Sequence, residues 1–220
     1  MNITIKNIFK KIIPSQFFSL LRNIQGYAKS WISKWQISRL VRKQGGSINL
    51  EIGSGSKKGE NGWVTVDMIP GCDIYWDLGK GLPFPNESIA KIYSSHVFEH
   101  FDFKDGQKLL AECQRVLISG GTFSICVPNA KIFIQAYIDG NSLDEKKYFG
   151  HKPAYNNTTG IDAINYIAYM EGHHKYMFDE ENITAYLKLG DFVEVSLRDF
   201  DKNIDLLSRD FESIYAYAVK

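Results

Sequence analysis

The stretch from Ile48 to Gly55, I-N-L-E-I-G-S-G, constrains the fold most strongly because it joins a strand pattern to a glycine turn. Its apolar residues alternate around Glu51, and two glycines one residue apart follow. Glycine tolerates a positive φ and lets a ligand approach the backbone closely. A second apolar run, W-V-T-V, ends at Asp67, where a carboxylate can accept hydrogen bonds from both ribose hydroxyls. The two segments predict a strand-turn nucleotide site that binds an adenosine group.

A dinucleotide site is the main competing interpretation of this turn. That site needs a third glycine three residues after the second, and Lys58 stands there instead. The seven residues at 56–62 are too polar and too rich in glycine for the helix that normally joins two parallel strands. We therefore expect an abbreviated loop before the second strand.

Length and composition indicate one ordinary domain with an appendage. The chain has 220 residues and is 44% hydrophobic, which is enough for a substantial core. Its 3 cysteines form no C-x-x-C pair, so we expect neither a disulfide framework nor a zinc knuckle, and a cytoplasmic location fits best. The sequence has no apolar run of about 18 residues, which argues against a spanning helix and a secretory signal.

The charge is distributed unevenly along the chain. Residues 1–50 contain nine Lys or Arg and no acidic residue, whereas the remainder has 17 basic and 25 acidic residues. We predict a basic amphipathic helical arm over 1–46 and a domain over 47–220. Two roles for the arm remain open: binding an anionic membrane, which would place the protein at its inner face, or packing on the acidic body or on a second copy.

Further apolar runs predict strands at 73–78, 90–95 and 122–128, with a helix between the last two that Gly120 and Gly121 end. An antiparallel pair at 192–197 and 213–219 closes the pattern. The fold class is therefore α/β: a Rossmann-like, doubly wound, mostly parallel sheet with an antiparallel C-terminal edge strand. We expect the segment 131–177 to be an insertion over the pocket mouth.

The ordered motifs E-I-G-S-G, G-W-V-T-V-D, D-I-Y-W-D-L, S-S-H-V-F-E-H-F and G-G-T-F-S-I-C-V-P-N resemble the small class I methyltransferases often called type 11. The resemblance is closest to a subgroup associated with bacterial surface-polysaccharide genes, which also has the short loop. It implies S-adenosyl-L-methionine (SAM) as cofactor and a sugar hydroxyl of a glycan or glycan precursor as acceptor. The expected cofactor-binding residues are Glu51, Gly53, Ser54, Gly55, Asp67, Met68, Asp77, Leu78 and Ser95.

The histidines after the fourth strand are the candidates for catalysis. His96 comes first, and its imidazole, with an ordinary pKa of roughly 6.5, would take the acceptor proton, so the rate should fall below that pH. His100 is the second candidate. Substrate contacts are expected from His173, His174 and Tyr176. No metal is expected, because adjacent histidines rarely share one ion and neither H-E-x-x-H nor C-x-x-C occurs.

Two other functions remain open. One is RNA methylation, in which the basic arm would bind phosphate. The absence of an N-P-P-Y type motif from the sequence disfavours it, so nucleic acid is the less favoured partner. The other is a SAM-binding module without catalytic activity, which the intact E-x-G-x-G motif and His96 disfavour. The oligomeric state does not follow from the sequence.

Overall fold

A computed structural model describes residues 33–140, 148 and 158–220. Its centre is a seven-stranded sheet in the order β3-β2-β1-β4-β5-β7-β6. The strands are β1 (Ile48–Ile52), β2 (Trp63–Asp67), β3 (Ile74–Tyr75), β4 (Ile89–Ser95), β5 (Leu117–Pro128), β6 (Glu194–Leu197) and β7 (Ser213–Val219).

The sheet is mostly parallel, as the sequence predicts. β1 pairs in parallel with β2 and β4, β2 with β3, and β4 with β5. β7 runs antiparallel to both β5 and β6. The predicted antiparallel pair therefore lies at one edge of the sheet, with the C-terminal strand as its inner member and β6 as its outer member.

The helices flank this sheet. They are α1 (33–44), α2 (Phe103–Val116), α3 (Ala130–Ile138), α4 (Gly160–Tyr169) and α5 (Glu180–Lys188). Short 3-10 turns occupy Leu78–Lys80, Phe98–His100, Met170–Gly172 and Leu207–Glu212. The N-cap of α5 is Asp179, whose carboxylate accepts from the Asn182 amide at 2.7 Å. Within the described residues, no helix has the length and apolar character that a membrane crossing requires.

The prediction that Gly120 and Gly121 end the helix before β5 is wrong. α2 ends at Val116, and β5 begins directly at Leu117 and runs through both glycines. Gly120 has a φ of 75°, and the pairing of β5 with β4 shifts its register between Leu117 and Thr122. The two glycines thus form a bulge in a long strand, a role for which glycine is as well suited as for a helix end.

Helix α1 packs on the domain, although the sequence assigned it to the arm. Ile37 is 3% exposed and belongs to the main core, and the Ser33 hydroxyl donates to the Tyr75 carbonyl at 2.9 Å. The basic side chains of Lys34 and Arg39 lie on the exposed face of the helix. The burial of Ile37 attaches this last part of the predicted arm to the sheet, and residues 1–32 lie outside the described residues.

A second, smaller core lies between α3 and α4. It contains Phe133, Ala136, Tyr148, Ala163, Tyr166 and Ile167. These residues all fall in the segment 131–177 that the sequence sets apart as an insertion. Of that segment, 141–147 and 149–157, which include His151, lie outside the described residues.

The strand order fixes where ligands bind. β1 lies between β2 and β4, so the connections from β1 and β4 leave the sheet in opposite directions. In open α/β sheets the crevice at such a switch point, outside the carboxyl ends of the strands, is the ligand site. The predicted site residues that follow β1, β2 and β4 all lie at this end.

Candidate active site

The turn after β1 is built on two glycines with a left-handed backbone. Gly53 has a φ of 70° and Gly55 a φ of 64°. A Cβ on Gly53 would lie 2.1 Å from Cγ2 of Val97, whereas a Cβ on Gly55 would meet no atom within 4 Å. The first glycine is therefore required by packing and by conformation, and the second by conformation alone.

Asp67 holds this turn in place through hydrogen bonds to its carboxylate. It is 9% exposed, and its carboxylate accepts from the Gly55 amide and from the Ile69 amide, each at 2.8 Å. Each carboxylate oxygen keeps a second lone pair for another donor. Asp67 thus holds the loop in place, a role that the sequence did not predict, and can still accept hydrogen bonds from a ligand.

A cavity of about 270 Å³ opens beside the turn, and we call it the first cavity. Its lining residues are Glu51, Gly53, Ser54, Gly55, Lys57, Tyr93, Ser95, His96, Ile204, Leu206 and Arg209. Five of the nine predicted cofactor residues are among them. The Glu51 carboxylate is 2.9 Å from the Lys57 ammonium and only 13% of its side chain is exposed, so it provides a negative charge at the base of the cavity.

The other predicted cofactor residues lie near the ends of β2 and β3. Met68 is 57% exposed. The Asp77 carboxylate caps the 3-10 turn that follows it by accepting from the Gly79 amide at 3.0 Å, and Leu78 packs against the main core. Like Asp67, these three residues do not line the first cavity.

A second cavity of about 140 Å³ adjoins the first. Its lining residues are His96, Glu99, His100, Pro128, Tyr166, Ile167, Met170, His174, Arg209 and Glu212. His96 and Arg209 line both cavities. The boundary between the two cavities is therefore formed by His96, which the sequence predicted as a site residue, and by Arg209, which it did not predict.

His96 has an unusual backbone and a defined tautomer. Its φ of 53° is rare for a residue other than glycine and marks a position held by its surroundings. The Ser213 hydroxyl donates to the Arg209 carbonyl at 2.7 Å, so its oxygen accepts from Nε2 of His96 at 2.9 Å. Nδ1 therefore carries the lone pair, and it lies 3.5 Å from Oε1 of Glu99.

The surroundings of His96 make it a weak base. Burial, and after it the nearby Arg209 guanidinium, lowers the pKa of His96 to about 3. Such an imidazole stays neutral across the pH range in which the sequence-based argument expected the rate to fall. That expectation assumed an ordinary histidine in water, whereas the structure buries the His96 ring beside the Arg209 guanidinium.

Glu99 is the most deeply buried ionisable group at the site. It is 2% exposed, and burial raises its pKa to about 8. Besides His96, two imidazoles lie nearby: Nε2 of His100 is 3.9 Å from Oε1, and the rings of His100 and His174 meet edge to face at 5.0 Å. Glu99, His100 and His174 form one cluster on the wall of the second cavity.

The remaining predicted substrate residues are separated from one another. His174 is buried and lines the second cavity, whereas the His173 side chain is exposed and contributes its carbonyl, which accepts from Nδ1 of His100 at 2.9 Å. Tyr176 packs in an aromatic group with Phe178 and Tyr186. Neither His173 nor Tyr176 lines either of the two cavities.

The segment 199–212, which the sequence did not predict as part of the site, lines the first cavity. Ile204, Leu206 and Arg209 reach the cavity from it. Its anchor is Asp205, whose carboxylate accepts from Arg198 at 2.8 Å and from the Tyr93 hydroxyl at 3.0 Å. The sequence carries one signal for this segment. The run D-K-N-I-D-L-L, which mixes acidic and apolar residues, lies in a connection between two edge strands that is longer than a simple hairpin requires.

Residues 72–125 match the model of a family described as a methyltransferase domain. The search of curated proteins finds no match. With this family match, the sheet and the cavity at the end of β1, the enzyme is a SAM-dependent methyltransferase whose cofactor is SAM.

Solved structures with a similar fold include a SAM-dependent methyltransferase from Archaeoglobus fulgidus, with 16% identity, 87% of this chain and 94% of that chain covered, and a TM-score of 0.47. A possible histamine N-methyltransferase from Thermotoga maritima has 13% identity and a TM-score of 0.48. The match covers 93% of this chain and 96% of that chain. Phosphoethanolamine N-methyltransferase 2 from Haemonchus contortus, in complex with SAM, has 13% identity and a TM-score of 0.47. The match covers 86% of this chain and 52% of that chain.

Proposed function

We propose that the enzyme transfers a methyl group from SAM to a sugar hydroxyl of a glycan or glycan precursor. In this proposal the first cavity holds the methionyl end of SAM and the second holds the acceptor. The observation that carries it is the junction of the two cavities at His96 and Arg209, at the carboxyl ends of β1 and β4. An acceptor in the second cavity would face the methyl group of a cofactor in the first.

The cofactor roles follow from the charges at the turn. Glu51 would receive the ammonium of SAM in place of Lys57, and Lys57 would turn to the SAM carboxylate. Gly53, Ser54, Gly55 and Ser95 would contact the methionyl part, and Asp67 would accept from the ribose hydroxyls. Met68, Asp77 and Leu78 would surround the adenine.

The lining of the second cavity favours a neutral acceptor rich in hydroxyl groups. Glu99, Glu212 and three imidazoles supply hydrogen-bond acceptors, while Arg209 is the one permanent cation among its described lining residues. A polyanion such as RNA would find only this one permanent cation among the described lining residues. This composition, together with the resemblance to methyltransferases of surface polysaccharides, supports a sugar over a nucleic acid.

Methyl transfer from a sulfonium needs positioning more than covalent help, because the donor is already activated. We assign His96 a contact that orients the acceptor hydroxyl, since its low pKa makes it a poor proton acceptor. Its strained backbone, fixed by the His96 amide donating to the Cys126 carbonyl at 2.9 Å, aims the ring at the boundary between the cavities.

We also propose that the protein works in the cytoplasm, with residues 1–32 in contact with the anionic inner face of a membrane. The support is the sequence alone: the basic residues of this part have no acidic neighbours to pair with in residues 1–50. A membrane location would suit an acceptor carried on a lipid.

The direct test supplies SAM with an isotopically labelled methyl group to the full-length protein, together with cell-envelope glycans or with RNA. Mass spectrometry should find the label on a sugar oxygen. Label in RNA would favour the alternative function. No label in any acceptor, with SAM binding intact, would favour a module that binds SAM without catalysis.

Calorimetry tests the cofactor site separately. Asp67→Ala should weaken SAM binding by roughly 10- to 100-fold, which corresponds to about 1.5–3 kcal/mol for hydrogen bonds to a charged group. The matched control is Asp139→Ala, which removes an exposed carboxylate at the end of α3. Equal affinity in wild type and Asp67→Ala, with both folded by circular dichroism, would contradict the ribose contact.

A further inference from the structure

The cluster of Glu99, His100 and His174 has the geometry of a metal site. One ligand atom from each residue lies within 4.8 Å of the others. Four-coordinate zinc with bonds of about 2.0–2.1 Å holds its ligand atoms about 3.3 Å apart, so small side-chain rotations bring this set into range. The expectation of no metal rested on the adjacent pair His173 and His174, whereas this set combines one of them with two residues from the turn after β4.

Both imidazoles are oriented as metal ligands usually are. Nδ1 of His100 donates to the His173 carbonyl at 2.9 Å, and Nδ1 of His174 donates to the Ile167 carbonyl at 2.8 Å. These hydrogen bonds place the proton on Nδ1 and leave Nε2 of each ring with a free lone pair. A histidine that binds a metal through one nitrogen almost always donates from the other in this way.

Glu99 provides a second, independent indication. Its side chain is 3% exposed, and Oε2 has no hydrogen-bond partner among residues 33–140, 148 and 158–220. Buried polar atoms in folded proteins nearly always have a partner, and an unpaired carboxylate oxygen is costly to bury. A cation in the cluster would satisfy this oxygen.

We infer that Glu99, His100 and His174 bind a divalent transition-metal ion, with Zn²⁺ as the best fit, on the wall of the second cavity. Two imidazoles and one carboxylate suit Zn²⁺ better than Mg²⁺ or Ca²⁺, which prefer oxygen ligands. Three protein ligands leave a coordination position open toward the cavity, as in catalytic zinc sites. His96 lies beside the three ligands, with its Nδ1 3.5 Å from Oε1 of Glu99.

The open position gives the ion a task in the reaction, and this step rests on the proposed function. A hydroxyl oxygen bound to the ion would lose its proton more readily, to solvent water, and would be held at the boundary with the first cavity. The oxygen would then bond to the methyl carbon while the carbon–sulfur bond of SAM breaks, and S-adenosylhomocysteine would leave. The acceptor would then need no strong base from the protein. The binding of the ion itself does not depend on what the acceptor is.

The test measures metal content without any substrate. Full-length protein is stripped with EDTA, dialysed against Zn²⁺, and measured by plasma mass spectrometry and by competition with a chromophoric chelator. Wild type should bind one Zn²⁺ through the cluster. His100→Gln should weaken that binding by at least about 100-fold, because even the outer partners of a metal ligand are worth about 10- to 100-fold. His100 is half-exposed, so this variant keeps the fold, and Glu99→Gln and His174→Gln extend the series.

His173→Gln is the matched control, since it removes the neighbouring exposed imidazole and keeps the carbonyl that orients His100. It should bind Zn²⁺ like the wild type. Co²⁺ should give visible absorption bands of four- or five-coordinate geometry in wild type and lose them in His100→Gln. Folded wild type that binds no Zn²⁺, or an equal loss in His173→Gln and His100→Gln, would overturn the inference. Calorimetry with SAM on the same samples shows whether the cofactor site is intact, so failure of the metal site and failure of the proposed function are distinguishable.

Discussion

At the scale of single residues, the turn after β1 contains two glycines that share one backbone conformation but differ in what surrounds them. Gly53 and Gly55 share the left-handed region, yet only Gly53 faces another side chain, Val97, at close range. Sequence reasoning identified both glycines through the E-x-G-x-G pattern. It could not separate them, because Val97 approaches from the turn after β4 and the contact is set by the sheet.

Gly53→Ala should therefore cost more stability than Gly55→Ala. Gly55→Ala adds only the strain of a left-handed alanine, about 1–2 kcal/mol. Gly53→Ala adds the clash with Val97, about 1–3 kcal/mol more. Urea unfolding of both variants measures the difference. Val97→Ala should restore part of the loss in Gly53→Ala while it destabilises the wild type, and a strictly additive double variant would refute the clash.

His96→Asn tests the orienting contact at the boundary of the cavities. Asparagine tolerates the positive φ of this position better than alanine does, so the backbone is kept. We expect turnover to fall by about 10²-fold, the cost of a misplaced reactant, while SAM affinity by calorimetry changes by less than about threefold. Turnover close to that of wild type would exclude His96 from acceptor positioning.

At the scale of elements, the sequence predicted what depends on local periodicity and missed what depends on long-range contacts. The strands β1, β2 and β4 could be predicted because each alternates or ends in a recognisable turn. Two other features could not. The glycines of β5 suit a bulge as well as a helix end, and the segment 199–212 has no periodicity that reveals its position across the first cavity.

The 199–212 segment depends on the ion pair between the buried Asp205 and the partly exposed Arg198. The Asp205 side chain is fully buried, and it also accepts from the Asp201 amide at 2.7 Å. Asp205→Ala removes the carboxylate partner of Arg198, which still donates to the Ser124 hydroxyl and the Asp199 carbonyl, and should destabilise the fold by about 3 kcal/mol, the lower end for a buried pair. It should also weaken SAM binding, because Ile204 and Arg209 lose their fixed position over the cavity. Thermal unfolding and calorimetry measure the two effects.

Two further variants provide comparisons for the loss of stability and SAM affinity in Asp205→Ala. Tyr93→Phe removes one hydrogen bond to Asp205 and should cost about 1 kcal/mol. Asp199→Ala removes an exposed carboxylate from the same segment and should leave stability and SAM affinity nearly unchanged. If Asp205→Ala behaved like Asp199→Ala, the anchoring role would be wrong.

At the scale of the whole molecule, topology brings together residues that lie far apart in sequence. The second cavity combines the turn after β4, the helix α4 and the segment that precedes β7. The sequence could place His96 and Glu51 at strand ends, because the order of strands in a doubly wound sheet follows from general rules. It could not place Arg209 or Tyr166 beside them, since they come from connections whose paths only the folded chain defines.

The uneven charge of the chain leads to the last prediction, at the same scale. We expect full-length protein to float with liposomes that contain anionic lipid and to stay behind with neutral ones, because each basic residue near an anionic surface contributes about 1 kcal/mol. Replacing Lys6, Lys10 and Lys11 by Gln should reduce flotation strongly. The matched control replaces Lys104, Lys188 and Lys202, three exposed lysines of the domain, and removes the same charge elsewhere. Equal flotation of the two triple variants would exclude residues 1–32 as the membrane contact. Retention on RNA that falls steeply with salt, and that the first triple variant abolishes, would instead assign these residues to nucleic acid.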